Sequence, residues 1–151
     1  MTPPAVQKFE PRDPQWEAKV RESFALQKVM AYLGAELGEV RPGRCEIRLP
    51  CRDELTQQHG FIQAGIVSAI ADNAGGYAGF SLMPAGASVL AVEFKINFLA
   101  PADGDYLVAV GEIIKPGKTL FITRAEVYAF KDGVPTHCAA MQQTLMNVAP
   151  K

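Results

Sequence analysis

The chain has 151 residues, 48% hydrophobic and 21% charged, with a formal net charge of -1. That length holds one domain with a sizeable core. The charge balance offers no basic stripe to a nucleic acid, and no run is apolar for long enough to cross a membrane as a helix.

Residues 1–12 are polar and proline-rich and read as a flexible arm, followed by one domain over 13–151. The N-terminal stretch has no apolar run, so no signal peptide is expected. Asp13-Pro14 is a helix start, an N-cap followed by proline at the first helical position. Trp16, Val20 and Phe24 then recur every fourth residue, which predicts a helix over 14–31. Arg41-Pro42-Gly43-Arg44 is a turn between two short strands. In the second of these, Cys45, Ile47 and Leu49 alternate with charged residues, as in a half-buried strand.

The stretch from Gln57 to Gly76, QQHGFIQAGIVSAIADNAGG, carries a single charged side chain, Asp72. After Phe61 it reads as a helix that is apolar nearly all round and therefore wrapped by its sheet. At about 100° per residue, Ile66, Ile70, Ala74 and Tyr77 share one side. Asp72 falls on the other, with Ser68, Gly75 and Gly76. A solvated face would carry Lys and Glu. Small residues instead allow close approach by a strand, a partner subunit or a ligand. A buried carboxylate is rare unless paired, and burial raises its pKa toward values useful to a general base. The structural alternative is a carboxylate bonded to backbone or facing solvent.

Met83-Pro84-Ala85-Gly86 breaks the chain. Strands are predicted over 88–99, 106–115, 119–130 and 134–148, with Val92, Phe94, Ile96 and Phe98 on one face of the first. Lys131-Asp132-Gly133 is a hairpin signal. The order is helix, two strands, a long apolar helix and a four-strand meander, an α+β plan.

The run His59-Gly60-Phe61-Ile62-Gln63-Ala64-Gly65, followed by Ile66 to Ala74 with Ala71-Asp72-Asn73-Ala74, resembles the hotdog-fold acyl-CoA thioesterases of the phenylacetate-degradation type (PaaI-like). VEFKINFLAPA and GEIIKPGKTLFITRAEVY resemble the long strand and hairpin that follow in that family. The likeness spans roughly residues 30–148. It implies a single hotdog domain, an antiparallel sheet around one central helix, with an extra N-terminal helix. It also implies hydrolysis of an acyl-CoA thioester, by a homodimer or homotetramer with its site between subunits. Coenzyme A enters only as part of the substrate.

On this resemblance, Asp72 is the base or nucleophile, and the N–H of Ala64 or Gly65 meets the thioester oxygen. The family's H-G-G aligns with Gln63-Ala64-Gly65, so Gln63 replaces its histidine. Gln57 stands near a common asparagine, and Ala91 near a Ser or Thr. Gln57 and Gln63 are candidates to orient water or carbonyl. His59, Gly60 and Phe61 are candidates for the pocket mouth, and Lys118, Lys95 and Arg124 for the phosphates of coenzyme A. The Gln63-Ala64 departure favours an alternative, a non-catalytic hotdog protein that binds acyl-CoA or another acyl ligand. Retention of Asp72 favours the enzyme. Phe61, Ile62, Tyr77, Phe80 and Met83 leave the acyl group open between aryl and medium-chain.

Other leads are weaker. GEIIKPGKT lacks P-loop spacing and sits between strands. Two distant histidines and three cysteines with no C-x-x-C pair argue against a metal centre and a disulfide framework. They fit a reducing, cytoplasmic setting without metal or cofactor.

Overall fold

The computed structural model describes Thr2 and residues 7–150. Two short helices, α1 (Trp16–Ala25) and α2 (Lys28–Leu33), precede the hairpin β1 (Glu36–Arg41) and β2 (Arg44–Pro50). A 3₁₀ turn over Asp53–Leu55 leads to the long helix α3 (Ala64–Phe80). Four strands complete the chain: β3 (Ser88–Phe98), β4 (Tyr106–Lys115), β5 (Leu120–Lys131) and β6 (Val134–Val148). All six strands form one antiparallel sheet in the order β1-β2-β4-β5-β6-β3, and α3 packs against its inner face.

Residues 14–31 are not one helix. Asp13 accepts the Gln15 N–H at 2.9 Å in a preceding turn, and the helix starts at Trp16. At Gln27 the backbone turns extended (ψ 103°) and caps α2. The cause is long-range: the Gln27 amide donates to Asn73 Oδ1 at 2.5 Å and to the Tyr77 hydroxyl at 2.8 Å. Of the predicted arm, residues 1 and 3–6 lie outside the described residues. Phe9 packs against the core, and Arg12 donates to the Gly117 carbonyl at 2.7 Å.

The strands follow their periodicity. Cys45, Ile47 and Leu49 are fully buried against α3. Asp132 and Gly133 both have positive φ (51° and 77°), the backbone of a tight hairpin turn. In β3 the alternation slips. Ala91 pairs with Leu145 and Glu93 with Thr144, so Val92 is the extra residue of a bulge. Phe94, Ile96 and Phe98 stay on the helix side, opposite Gln143, Met141 and Ala139, whereas Val92 has no register partner in β6.

The small residues of α3 meet strands. A Cβ at Gly79 would lie 2.5 Å from Leu145, and one at Gly111 of β4 would fall 2.1 Å from the Ala74 carbonyl oxygen. Backbone meets backbone at Gly111, and neither side can rotate away. Gly111→Ala is therefore expected to cost about 3 kcal/mol or more, read by denaturant unfolding.

Candidate active site

The start of α3 is built by its approach loop. Ile62 N–H donates to the Ala102 carbonyl at 3.0 Å and Gln63 N–H to the Leu55 carbonyl at 2.9 Å. These bonds hold the first turn beside the β3–β4 connection. Gln63 is the N-cap, and its side-chain oxygen accepts from Gly65 N–H at 2.6 Å and from Ile66 N–H at 3.2 Å. The Gly65 N–H thus already has an acceptor. The Ala64 N–H has none among the described residues, and Ala64 lines a cavity of about 440 Å³. Gln57, Phe61 and Val67 line it on one side, and Phe98, Leu99 and Cys138 on the other.

Asp72 lies two turns further along α3 and is half-buried. Its Oδ1 accepts a hydrogen bond from Gln143 Nε2, and Gln143 Oε1 in turn accepts from Thr123 Oγ1 at 3.1 Å. Burial pushes the Asp72 carboxyl above the usual carboxylate range, and the Gln143 bond pulls it partly back. Beside it is a second cavity of about 200 Å³ with Gly76, Tyr77, Val89, Ala91 and Leu145 in its wall. Its rim is polar and uncharged. Ser23 Oγ and the Tyr77 hydroxyl are 3.2 Å apart, and Gln27 joins Tyr77 to Asn73. Gly76 opens into free space, whereas Gly75 faces Gln143 and Thr123.

Other candidates are more scattered. Gln57 Oε1 takes the His59 N–H and so shapes the approach loop, where Gly60 sits at φ 87°. Phe61 reaches the cavity of Ala64, while His59 is exposed. Arg124 is committed to Glu112 Oε2 at 2.8 Å. In register, Glu112, Arg124, Gln142 and Lys95 form one row across the outer face of the sheet. Within a chain the sheet separates Lys95 and Arg124 from Asp72. Lys118 is exposed in the β4–β5 turn.

Burial disfavours the thiolate, the nucleophilic form, at all three cysteines. Burial pushes Cys138 up to about 11 and Cys45 up to about 12, and raises Cys51 as well. Among the described residues no cluster of His, Cys, Asp and Glu could hold a metal ion, and no helix is long and apolar enough to cross a membrane.

Gln143 and Thr123 were not among the expected site residues, yet their signal was present. Gln143 falls in the apolar phase of β6 between Met141 and Leu145, and Thr123 between Phe121 and Ala125 of β5.

Comparison with known proteins agrees with this architecture. A thioesterase family protein from Silicibacter pomeroyi is 51% identical, with 89% of this chain and 98% of that one covered, at a TM-score of 0.88. The PaaI protein of the Escherichia coli phenylacetic acid degradation operon shares the fold at 17% identity and a TM-score of 0.79, covering 91% of this chain and 96% of its own. A Saccharolobus solfataricus protein provisionally named an esterase is 28% identical over 105 residues, 70% of this chain and 72% of that one. The family model described as the thioesterase superfamily matches residues 59–136, which take in the approach loop, α3 and strands β3 to β5. With its single antiparallel sheet packed on one long helix, this chain has the hotdog fold and belongs to the thioesterase superfamily.

Proposed function

We propose that the protein hydrolyses an acyl-CoA thioester at a site shared by two subunits, with Asp72 from one chain and the Ala64 N–H from the other. The observation that carries this reading is the separation of two complementary half-sites. Ala64 and Asp72 are eight residues apart on one helix. That is about 12 Å along its axis, too far for both to serve one thioester carbon. They also line different cavities.

A second copy closes the gap. β3 is an edge strand, and Leu90, Val92, Phe94 and Phe98 are exposed along it. A long apolar edge favours pairing with another strand. The start of β3 (Val89, Ala91) borders the Asp72 cavity, and its end (Phe98) borders the Ala64 cavity. Antiparallel pairing of β3 with its copy about a two-fold axis sets the start of one strand beside the end of the other. Each dimer then has two complete sites.

The chemistry needs a base and an oxyanion donor. Asp72 takes a proton from water as the water oxygen bonds to the thioester carbon. The partner's first-turn N–H and helix dipole stabilise the negative oxygen. The C–S bond then breaks, the sulfur leaves with the electron pair and is protonated, and a carboxylic acid remains. The acyl group occupies the cavity beside Asp72. A cavity of about 150 Å³ takes a benzene ring, so a volume of about 200 Å³ suits one ring or a short chain.

The test is release of free thiol from a panel of aryl- and fatty-acyl-CoAs. Hydrolysis of compact acyl groups in preference to long ones is expected. Tight binding of acyl-CoA with no thiol release would identify a non-catalytic binding protein instead.

A further inference from the structure

We propose that Gln143, held by Thr123, is a positioning residue that fixes which oxygen of Asp72 meets the water and favours the carboxylate over the acid. This rests on the catalytic reading of Asp72 above and adds to it a device within the sheet.

Gln143 and Thr123 are both fully buried on the helix side of the sheet. A buried amide is unfavourable unless its donors and acceptor are met. Here both are met, the N–H by Asp72 and the oxygen by Thr123. The amide oxygen only accepts, so in the 3.1 Å contact the Thr123 hydroxyl must donate. With Oε1 turned to Thr123, Nε2 faces the helix. There it donates to Asp72 Oδ1 and lies 3.4 Å from the Asp72 carbonyl oxygen. The opposite orientation would set Oε1 against the carboxylate. The carboxylate, which only accepts, thus sets the amide orientation, and the Thr123 hydroxyl satisfies the Oε1 that this orientation turns away from it.

The helix makes room for this pair. A Cβ at Gly75 would lie 2.5 Å from Gln143 Oε1 and 2.9 Å from Thr123 Oγ1. Glycine in mid-helix weakens the helix, and here it admits two polar side chains.

With Oδ1 bound, Oδ2 is left without a hydrogen bond among the described residues, and it is the oxygen available to water. Among the described residues that line its cavity, no other charged side chain faces the carboxyl. α1 contributes Ser23, the α1–α2 joint Gln27, β3 Val89 and Ala91, β6 Leu145, and the helix itself Tyr77, the one other titratable group among the described lining residues. Burial therefore raises the basicity of the carboxyl, and the Gln143 N–H, which favours the anion, lowers it part of the way back.

The N–H bonds the charged form more strongly than the neutral one. Its removal raises the Asp72 pKa, and the acid limb of kcat/KM moves to higher pH. Two readouts test this: the pH profile of hydrolysis, and the titration of the Asp72 carboxyl carbon by ¹³C NMR, which needs no turnover. Gln143→Leu and Thr123→Val are expected to move both upward by about one pH unit. Thr123→Ser keeps the donor and is expected to titrate as the wild type. An unmoved midpoint in Thr123→Val overturns the proposal. So does a Thr123→Ser midpoint displaced as far as that of Thr123→Val, which would mark a packing role. If Gln143→Leu fails to fold, the threonine pair decides alone. Absence of hydrolysis by the wild type would overturn the thioesterase reading, and the NMR midpoint would still decide the role of Gln143.

Discussion

Asp72→Asn is expected to lower kcat/KM for acyl-CoA hydrolysis by about 10²–10⁴-fold, the range for loss of a general base. Asparagine keeps the size of the side chain and can still accept the Gln143 hydrogen bond, but it cannot take a proton from water. Stability separates this chemical loss from misfolding. The Asp72 carboxyl titrates higher in the folded chain than an ordinary carboxyl, chiefly because it is buried. Ionisation is therefore less favourable in the folded state. The penalty is absent below the unfolded pKa, grows as pH rises toward the folded pKa, and is constant above it. Asp72→Asn should accordingly be at least as stable as the wild type at neutral pH, with no such advantage in acid. A variant that is inactive yet no less stable is the expected signature. Equal activity in the two proteins would move the base elsewhere.

Ala64→Pro is expected to lower kcat by about 10²–10³-fold, the usual cost of one oxyanion donor, while leaving the fold intact. Proline removes the N–H and nothing else that the helix needs. Gln63 is the N-cap, so Ala64 is the first helical position, where proline is favoured. The residue before a proline must be extended, and Gln63 already is, at φ -64° and ψ 139°. The Ala64 N–H gives up no hydrogen bond among the described residues. Steady-state kinetics and a thermal melt read the two effects separately. A large fall in melting temperature, or unchanged kcat, would remove Ala64 from the oxyanion role.

Much of the molecule is legible in the sequence because local periodicity sets it. The alternation in β2 marks Cys45, Ile47 and Leu49 as core, and Asp132-Gly133 marks the hairpin between β5 and β6. The single carboxylate of α3 marks Asp72. Long-range contacts set what the sequence hides. The break at Gln27 depends on Asn73 and Tyr77, which are distant in the chain and supply the partners for its amide. The bulge at Val92 arises in pairing with β6, and nothing in SVLAVEF announces it. The glycines of α3 could equally have faced a partner chain or a ligand, and register decides that Gly75 meets Gln143 while Gly76 meets open space. Lys95 and Arg124 are cations on strands, and only the pairing shows that they share the outer face with Glu112.

Complementation between two inactive variants tests the shared site most directly. Asp72→Asn and Ala64→Pro are each purified, mixed in equal amounts and allowed to exchange subunits. In a mixed two-fold dimer one site keeps both native groups and the other loses both. Half the dimers are then mixed and each has one good site, so about a quarter of wild-type activity is expected to return. Mixed dimers that form, shown by native mass spectrometry, and yet stay inactive would contradict a site shared between Asp72 of one chain and Ala64 of the other.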